Sequence, residues 1–531
     1  MLERIAGDII LLWGFKRNAL AFFAGALLTL ALPPFNFFAV GFVSFPILLL
    51  LIEGAVPGPN ARGALRLYPA AVVGWFFGFG YFVAGLWWLG NAVIAESWEF
   101  AWALPLAVFG LPAGLGFFFA GSAMLARSVW GRGVGAAAAL AVGFGIGEWL
   151  RGILFTGFPW NSLGLTIMPA PLFMQATSVF GITGMNALAV LAFSLPGTAL
   201  LSRWKFAGPL LALLLVGGQV AFGYQRLTAA PPVESASGPV VRVVQPSVSQ
   251  SEKWDGAIRD RIFATYLKMT AQEPEVGKPK PVLIVWPETA VPFLLTERPD
   301  ALAALGETLG DDQILLAGAV RQEGDRNEGE AVRYYNSMLA INGNGEVIDA
   351  ADKVHLVPFG EYLPMEDLLG TFGLHQLVST PGGFSAGAST HRLKLPGLPE
   401  ILPQICYEII FPGALGTSTR PGLAINITND AWYGATPGPY QHFRLAQIRA
   451  IESGVPVVRA ANNGISAVID GYGRIVGALP LNAVSVMDLP LPPRLEATLY
   501  TAHFARIIFG LFATLLAICG LTNLRRRYTM Y

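Results

Sequence analysis

Charge is what this sequence has least of. Of its 531 residues only 13% are Asp, Glu, Lys or Arg, with 35 basic side chains balancing 35 acidic ones. A soluble domain carries roughly 25%, so a wholly water-exposed protein is excluded, and the balance leaves no polybasic face for nucleic acid. Cysteine is equally scarce, with Cys406 and Cys519 the only two, which rules out a disulfide framework. Cys519 lies near the far end of the last apolar run, about 18 helical residues or roughly 27 Å from its start. Cys406 belongs to a more polar segment at the other end of that run. Two unpaired thiols are therefore predicted, with Cys519 acting as a small buried hydrophobe. The five histidines, His355, His375, His391, His442 and His503, show no metal-ligand spacing. Neither metal nor cofactor is expected.

What the sequence has instead is apolar length. It is 53% hydrophobic, with a mean hydropathy of +0.52. Eight runs are long enough to cross a bilayer, which needs about 17–25 residues. They lie near 18–34, 35–54, 68–92, 101–126, 133–155, 172–201, 206–225 and 501–523. Only Pro33 and Pro34 separate the first two, which read as a tight hairpin or one broken element. Further spans follow the N-terminal run, so it reads as an uncleaved signal anchor. Bases occupy alternate loops: Arg4, Lys16 and Arg17; Arg62 and Arg66; Arg127 and Arg132; Arg203 and Lys205; Arg525, Arg526 and Arg527. The intervening short loops carry Glu96 and Glu99, with Arg151 the exception. The positive-inside rule then puts both termini in the cytoplasm. The predicted organisation is a seven-helix membrane domain over 1–228, an extracytoplasmic domain over 229–500, and an eighth helix with a basic cytoplasmic tail over 501–531. Within the spans, GFGIG at 143–147 lacks a preceding strand and reads as helix packing rather than a dinucleotide fingerprint. Glu148 and Arg151 sit one turn apart, placed to pair, to snorkel to the interface or to touch a lipid headgroup.

Between 229 and 500 the texture changes. A Pro/Ser-rich linker, LTAAPPVESASG at 228–239, precedes short β-rich runs: VVRVVQP, PVLIVWPE, QILLAGAV, YYNSMLAIN, ILPQICYE, LAINITND, VPVVRAAN and ISAVIDGYG. Helical patterns at 255–274, 298–309 and 437–453 alternate with them. Near-continuous apolar strands with intervening helices predict an α/β layered domain with buried sheets. Asn342-Gly343 and Asn344-Gly345 mark a turn between two strands.

Three of these strand ends carry reactive side chains. Glu288 follows VLIVWP, at the edge of a sheet where α/β sites form, and burial beside Trp286 would raise its pKa into the range of a useful base. Alone, it reads equally as an acid opening a helix. Lys353 stands in DKVHLVPFGEYLP, where an ammonium lowers the pKa of a nearby thiol and holds an oxyanion; alone, it is a strand-end surface lysine. Cys406 follows LPQI, in the manner of a nucleophile turn; alone, it is a core cysteine. Together a carboxylate, an ammonium and a thiol are what acyl transfer through a thioester requires. GFSAG at 383–387 matches the serine-hydrolase elbow only formally and is predicted to be a loop. Phe359, Tyr362, Leu363, Met365, Leu368, Leu369, Phe372 and Leu374 form an apolar stretch after Lys353, either core or a lid that touches lipid. A transporter with an external binding domain would need ionisable groups at mid-span, and the spans hold few.

These residues also carry a resemblance. The order Glu288, Lys353, Cys406 resembles the triad of the nitrilase (carbon–nitrogen hydrolase) superfamily. GFPWN at 157–161, WPET at 286–289, DKVHLVPFGEYLP at 352–364, ICYE at 405–408 and NITNDAWYG at 426–434 are similar to motifs of the apolipoprotein N-acyltransferase family. The resemblance implies an αββα sandwich on a membrane helical bundle, in the bacterial inner membrane with the catalytic domain in the periplasm. It implies transfer of a fatty acyl chain from a phospholipid, typically phosphatidylethanolamine, to the α-amino group of the diacylglyceryl-cysteine that begins an apolipoprotein, by a protein working as a monomer. It further implies Cys406 as nucleophile, Glu288 as base and Lys353 as oxyanion stabiliser. Glu361 would support them, Tyr407 and Glu408 would shape the site, and Trp254 would admit substrate. Trp432 and Tyr433, with Phe359 and Tyr362, are candidates to contact it. A membrane-tethered amidase acting on a small substrate is the neighbouring alternative.

Overall fold

The computed structural model describes residues 2–95, 98–202, 204–233, 237–253, 258–324, 331–364, 383–416 and 420–528. Trp254, Glu96, Arg203, His375 and the later part of the apolar stretch (Met365, Leu368, Leu369, Phe372 and Leu374) lie outside the described residues. The chain divides into two compact units.

The first unit comprises Met1–Gly90, Trp102–Ala230 and Ala497–Tyr531. Among the described residues, six of its helices are long and apolar enough to cross a membrane: Tyr68–Leu86, Leu106–Ser128, Val134–Arg151, Thr177–Leu200, Ala207–Thr228 and Leu499–Asn523. Glu3–Ile10 and Gly14–Ala31, bent by 117°, make a seventh if they count as one span. The sequence predicts eight. The predicted run at 35–54 is the shorter apolar helix Phe38–Glu53, preceded by Pro33 and Pro34. The predicted run at 68–92 stops at Leu86, and Asn91–Ala101 belongs to the other unit. Leu210, Leu213 and Leu214, and Phe509 and Leu521, are exposed on their helices. Water would penalise such surfaces, whereas lipid satisfies them.

Small residues bring the helix backbones together, as membrane packing favours. A side chain on Gly25 would strike the Phe77 carbonyl, and one on Gly74 that of Phe119. In GFGIG, Gly143 and Gly147 meet Ser122, and Gly145 meets the Phe512 ring, so the segment packs helices as predicted. Of the three readings of Glu148 and Arg151, pairing holds: they lie 2.7 Å apart, both fully buried. Arg151 also donates to the carbonyls of Phe158 and Trp160, while Glu148 accepts from the Leu163 N–H. The pair thus fastens the GFPWN loop to its own helix.

The second unit, Asn91–Ala101 with Pro231–Glu496, is built on two sheets. β1 (Val240–Gln245), β2 (Leu283–Val285), β3 (Ile314–Glu323), β4 (Arg333–Ile341), β5 (Val347–Asp352) and β11 (Ser485–Pro490) form one, in the order β11-β1-β2-β3-β4-β5. β6 (Ile401–Ile405), β7 (Leu423–Thr428), β8 (Val457–Ala461), β9 (Ser466–Ile469) and β10 (Ile475–Leu479) form the other, in the order β10-β9-β8-β7-β6. The predicted Asn-Gly turn joins β4 to β5.

Val241, Val243, Leu283, Val285 and Leu316 of the first sheet share one buried core with Ile405, Ile425, Ile427, Val458 and Val468 of the second. On the other face of the first sheet, Ile284, Trp286 and Leu315 pack against Ile262, Tyr266 and Met269 of helix Arg259–Thr270 and Leu305 of helix Pro299–Thr308. Helix Pro437–Ser453 packs against β8. The result is the αββα layering that the resemblance implies. β1–β2–β3 and β6–β7–β8 are parallel, and β5 recovers the direction of β3 through two antiparallel steps. The loops after β2, β5, β6 and β7 therefore leave from carboxyl ends of strands, where α/β sheets build sites.

Candidate functional site

Each reactive side chain starts from one of these loops. Glu288 lies three residues after β2 and is buried. One oxygen accepts from Asn336 Nδ2 at 2.7 Å and lies 3.5 Å from Lys353 Nζ; the other accepts from the Asn429 N–H at 3.0 Å. The peptide at Thr289 holds a left-handed φ of +43°. Buried Lys253 fixes it by donating to the Glu288 carbonyl at 3.1 Å and to Thr289 Oγ1 at 2.6 Å. Gly318 on β3 clears the space, because a Cβ there would strike Pro287 and Glu288.

Lys353 immediately follows β5 and is 1% exposed. A lone ammonium at that depth would lose its proton. Burial does pull it down, but Glu361 at 2.9 Å, then Glu288, outweigh burial and raise its pKa. Asn336 Nδ2 also donates to Glu361 at 2.9 Å, so one amide separates two carboxylates that would otherwise repel. Glu361 Oε2 accepts from the Val357 N–H at 2.8 Å.

Cys406 opens the turn Cys406–Ile410 straight after β6, with φ +51°. For a non-glycine residue that conformation costs about 1–3 kcal/mol. Its neighbours hold it there. Glu408 accepts from the N–H groups of Ile405 at 2.8 Å, Val354 at 2.9 Å and His355 at 3.0 Å. One carboxylate thereby ties the thiol's turn to the peptide after Lys353. The Cys406 carbonyl lies 3.2 Å from His442 Nε2. Burial, then Glu288, push the Cys406 thiol up, against the opposing pull of Lys353. The ammonium lowers the thiol as expected, but burial and Glu288 outweigh it, and the resting sulfur is neutral.

Below the thiol, Thr428 Oγ1 lies 3.3 Å from Cys406 Sγ and 3.0 Å from Asp430 Oδ1. Asp430 meets His442 Nδ1 at 2.9 Å and Arg459 Nη2 at 2.7 Å, all three fully buried. Burial pushes the Asp430 carboxyl up, but Arg459 and His442 outweigh it and hold it at about 2. A depressed carboxyl contributes stability above its unfolded pKa, near 4, and loses it as pH falls through the folded value. We expect Asp430→Asn to flatten the acid limb of unfolding between about pH 4 and 2, removing about 2 kcal/mol of pH-dependent stability. Circular dichroism of the full chain across that range checks it.

Of the remaining candidates, Tyr407 is buried, with its ring 5.1 Å from Phe411. Burial, then the thiol and Asp430, raise the Tyr433 phenol. Its carbonyl accepts from Asn91 Nδ2 at 3.2 Å. Trp432 is half-buried in the same turn. Phe359 is 55% exposed with φ +63°, whereas Tyr362 packs with Val320, Leu356 and Phe384. Residues 383–387 form a loop, as predicted for GFSAG. The sequence reading missed Asn336, Lys253, Thr428, Asp430, His442 and Arg459.

Residues 241–494 match the carbon–nitrogen hydrolase family, and residues 24–195 match the apolipoprotein N-acyltransferase N-terminal domain. Over 496 residues the chain is 53% identical to the apolipoprotein N-acyltransferase of Brucella suis biovar 1, covering 93% of each chain. The chain belongs to the apolipoprotein N-acyltransferase family. A second family member, from Rhizobium leguminosarum bv. trifolii, is 52% identical over 492 residues, 92% of each chain. Among solved structures, an amidase from Nesterenkonia sp. is similar at a TM-score of 0.35 and 17% identity, over 50% of this chain and 93% of that one. Membership of an N-acyltransferase family accounts for both halves of the molecule, the apolar helices and the buried thiol.

Proposed function

We propose that this protein transfers a fatty acyl chain from a membrane phospholipid, through a thioester on Cys406, to the α-amino group of the diacylglyceryl-cysteine at the start of an apolipoprotein. The observation that carries this reading is the buried cluster of Glu288, Lys353 and Cys406 in a chain of this family. The alternation of basic loops supports a bacterial inner-membrane protein with both termini cytoplasmic and the 229–500 domain in the periplasm. Phosphatidylethanolamine is the proposed donor and a monomer the proposed working unit.

The neutral thiol sets the order of events. As a phospholipid ester carbonyl approaches, Glu288 takes the thiol proton and Cys406 Sγ bonds to the carbonyl carbon. Lys353, kept charged by Glu361, faces the oxyanion. The C–O bond to glycerol breaks, Glu288 returns its proton to the departing oxygen, and lysophospholipid leaves. The lipoprotein's neutral amine then attacks the thioester and gives its proton to Glu288. The C–S bond breaks as the amide forms, and the thiol is restored by that proton. Two half-reactions through one covalent intermediate give ping-pong kinetics.

The test is reconstitution of the full chain in vesicles of phosphatidylethanolamine with a diacylglyceryl-cysteinyl peptide. N-acylated peptide and an equal amount of lysophospholipid are expected. Ammonia release from small amides in detergent, with the peptide unchanged, would replace this reading with a membrane-tethered amidase.

A further inference from the structure

The acyl-transfer mechanism leaves unused a buried hydroxyl within hydrogen-bond reach of the sulfur. Thr428 Oγ1 stands 3.3 Å from Cys406 Sγ and 3.0 Å from Asp430 Oδ1. Thr428 is fully buried, Asp430 is 1% exposed and Cys406 is 5% exposed. A hydroxyl has one proton and two acceptor lone pairs, so it cannot donate to both neighbours at once. Asp430 can spare it, because His442 Nδ1 shares Oδ1 and Arg459 Nη2 holds Oδ2.

We propose that Thr428 is a further catalytic residue, a rotating hydroxyl that accepts from the Cys406 thiol at rest and donates to the thiolate when it forms. This rests on the acyl-transfer reading of Cys406. At rest the S–H proton points to Thr428 Oγ1 and the hydroxyl proton to Asp430. When Glu288 removes the thiol proton, the sulfur has no donor and gains a negative charge. The hydroxyl then turns its proton from Asp430 to Sγ, and Asp430 keeps His442 and Arg459. Once the sulfur is acylated its charge is gone, and the hydroxyl returns. No covalent bond at Thr428 forms or breaks.

The charged and titratable groups around the sulfur come from every neighbouring element: Glu288 after β2, Lys353 with Glu361 after β5, Asp430 after β7, and Tyr433 beyond it. Tyr407 and Glu408 lie in its own turn, His442 on the flanking helix and Arg459 on β8. Of these, Asp430 acts through the hydroxyl as well as by its charge.

The experiment uses the full chain with Cys519→Ala, leaving Cys406 as the sole thiol, and follows its alkylation by iodoacetamide against pH. Thr428→Val keeps the shape and removes the hydroxyl. The midpoint is expected to rise by about one pH unit, with about tenfold slower acyl-enzyme formation at unchanged KM, the scale of one hydrogen bond to a charged group. Thr428→Ser should restore the parent profile. Asp430→Asn should move the midpoint the other way, because it removes a negative charge and releases the hydroxyl to the sulfur. A Thr428→Val profile superimposed on the parent, or shifts of the same sign in Thr428→Val and Asp430→Asn, would overturn the proposal. Alkylation needs no acyl donor, so it is separable from the parent reading, which fails instead if Cys406→Ser still acylates the peptide.

Discussion

Cys406→Ser is expected to leave a folded protein that neither accumulates a hydroxylamine-sensitive acyl adduct nor acylates a diacylglyceryl-cysteinyl peptide. The loss should be at least about 10⁴-fold. The surroundings of the sulfur explain why the oxygen analogue fails. The thiol is already pushed up by burial and by Glu288, and a serine hydroxyl starts several units higher, beyond what a carboxylate can deprotonate. An alkoxide would also leave as a poor group from an ester, so the second half-reaction would stall even if the first occurred. The left-handed turn at Cys406 is held by the Glu408 carboxylate, which accepts from the backbone N–H groups of Ile405, Val354 and His355; serine preserves these bonds, so thermal unfolding should be nearly unchanged. The adduct is read by incubating detergent-solubilised protein with phospholipid labelled in its acyl chain. A labelled adduct on the serine variant would remove Cys406 from the reaction.

Glu288→Gln should cost nearly as much, about 10³-fold or more in acyl-enzyme formation, from loss of the general base and of the charge balance at Lys353. Its carboxylate oxygens accept from Asn336 Nδ2 and the Asn429 N–H. An amide oxygen satisfies one of these, while its NH₂ group would face the other donor. The variant is predicted to bind phospholipid with unchanged KM while kcat collapses, because the lost interaction belongs to proton transfer. Pre-steady-state acylation with a labelled donor separates the two parameters. A variant that acylates at the parental rate and loses only amide formation would move Glu288 to the second half-reaction alone.

The candidate residues Glu288 and Cys406 were legible because they sit where apolar runs stop. WPE and ICY each follow a buried strand, whereas Lys353 follows β5, whose VIDAAD is partly exposed, and is marked instead by the run DKVHLVPFGEYLP. The supporting residues were harder to see because they lie within buried runs. Asn336 in YYNSMLAIN and Arg459 in VPVVRAAN are polar residues inside buried stretches of strand. A polar group at such a position must find a partner, and that was the signal available. Which partner it finds depends on the pairing of strands far apart in sequence, which spacing does not reveal. The strands absent from the predicted runs, β5 (implied only by the Asn-Gly turn), β10 and β11, all lie at sheet edges. Their sequences VIDAAD, IVGAL and SVMDLP have half-buried or exposed positions, so hydrophobic runs do not mark them. β6 is the remaining edge, and it tolerates Pro403 in mid-strand for that reason.

Asn91–Ala101 folds with the half that carries the thiol, although some 130 residues of apolar helix and loop separate it from Pro231 along the chain. Asn91 donates to the Tyr433 carbonyl, in the turn that follows β7. The catalytic half is therefore stitched from two stretches of polypeptide. A fragment cut at the linker would be missing a piece of its own wall, and a chimera that grafts 231–496 onto another membrane bundle would have to carry residues 91–101 along with it.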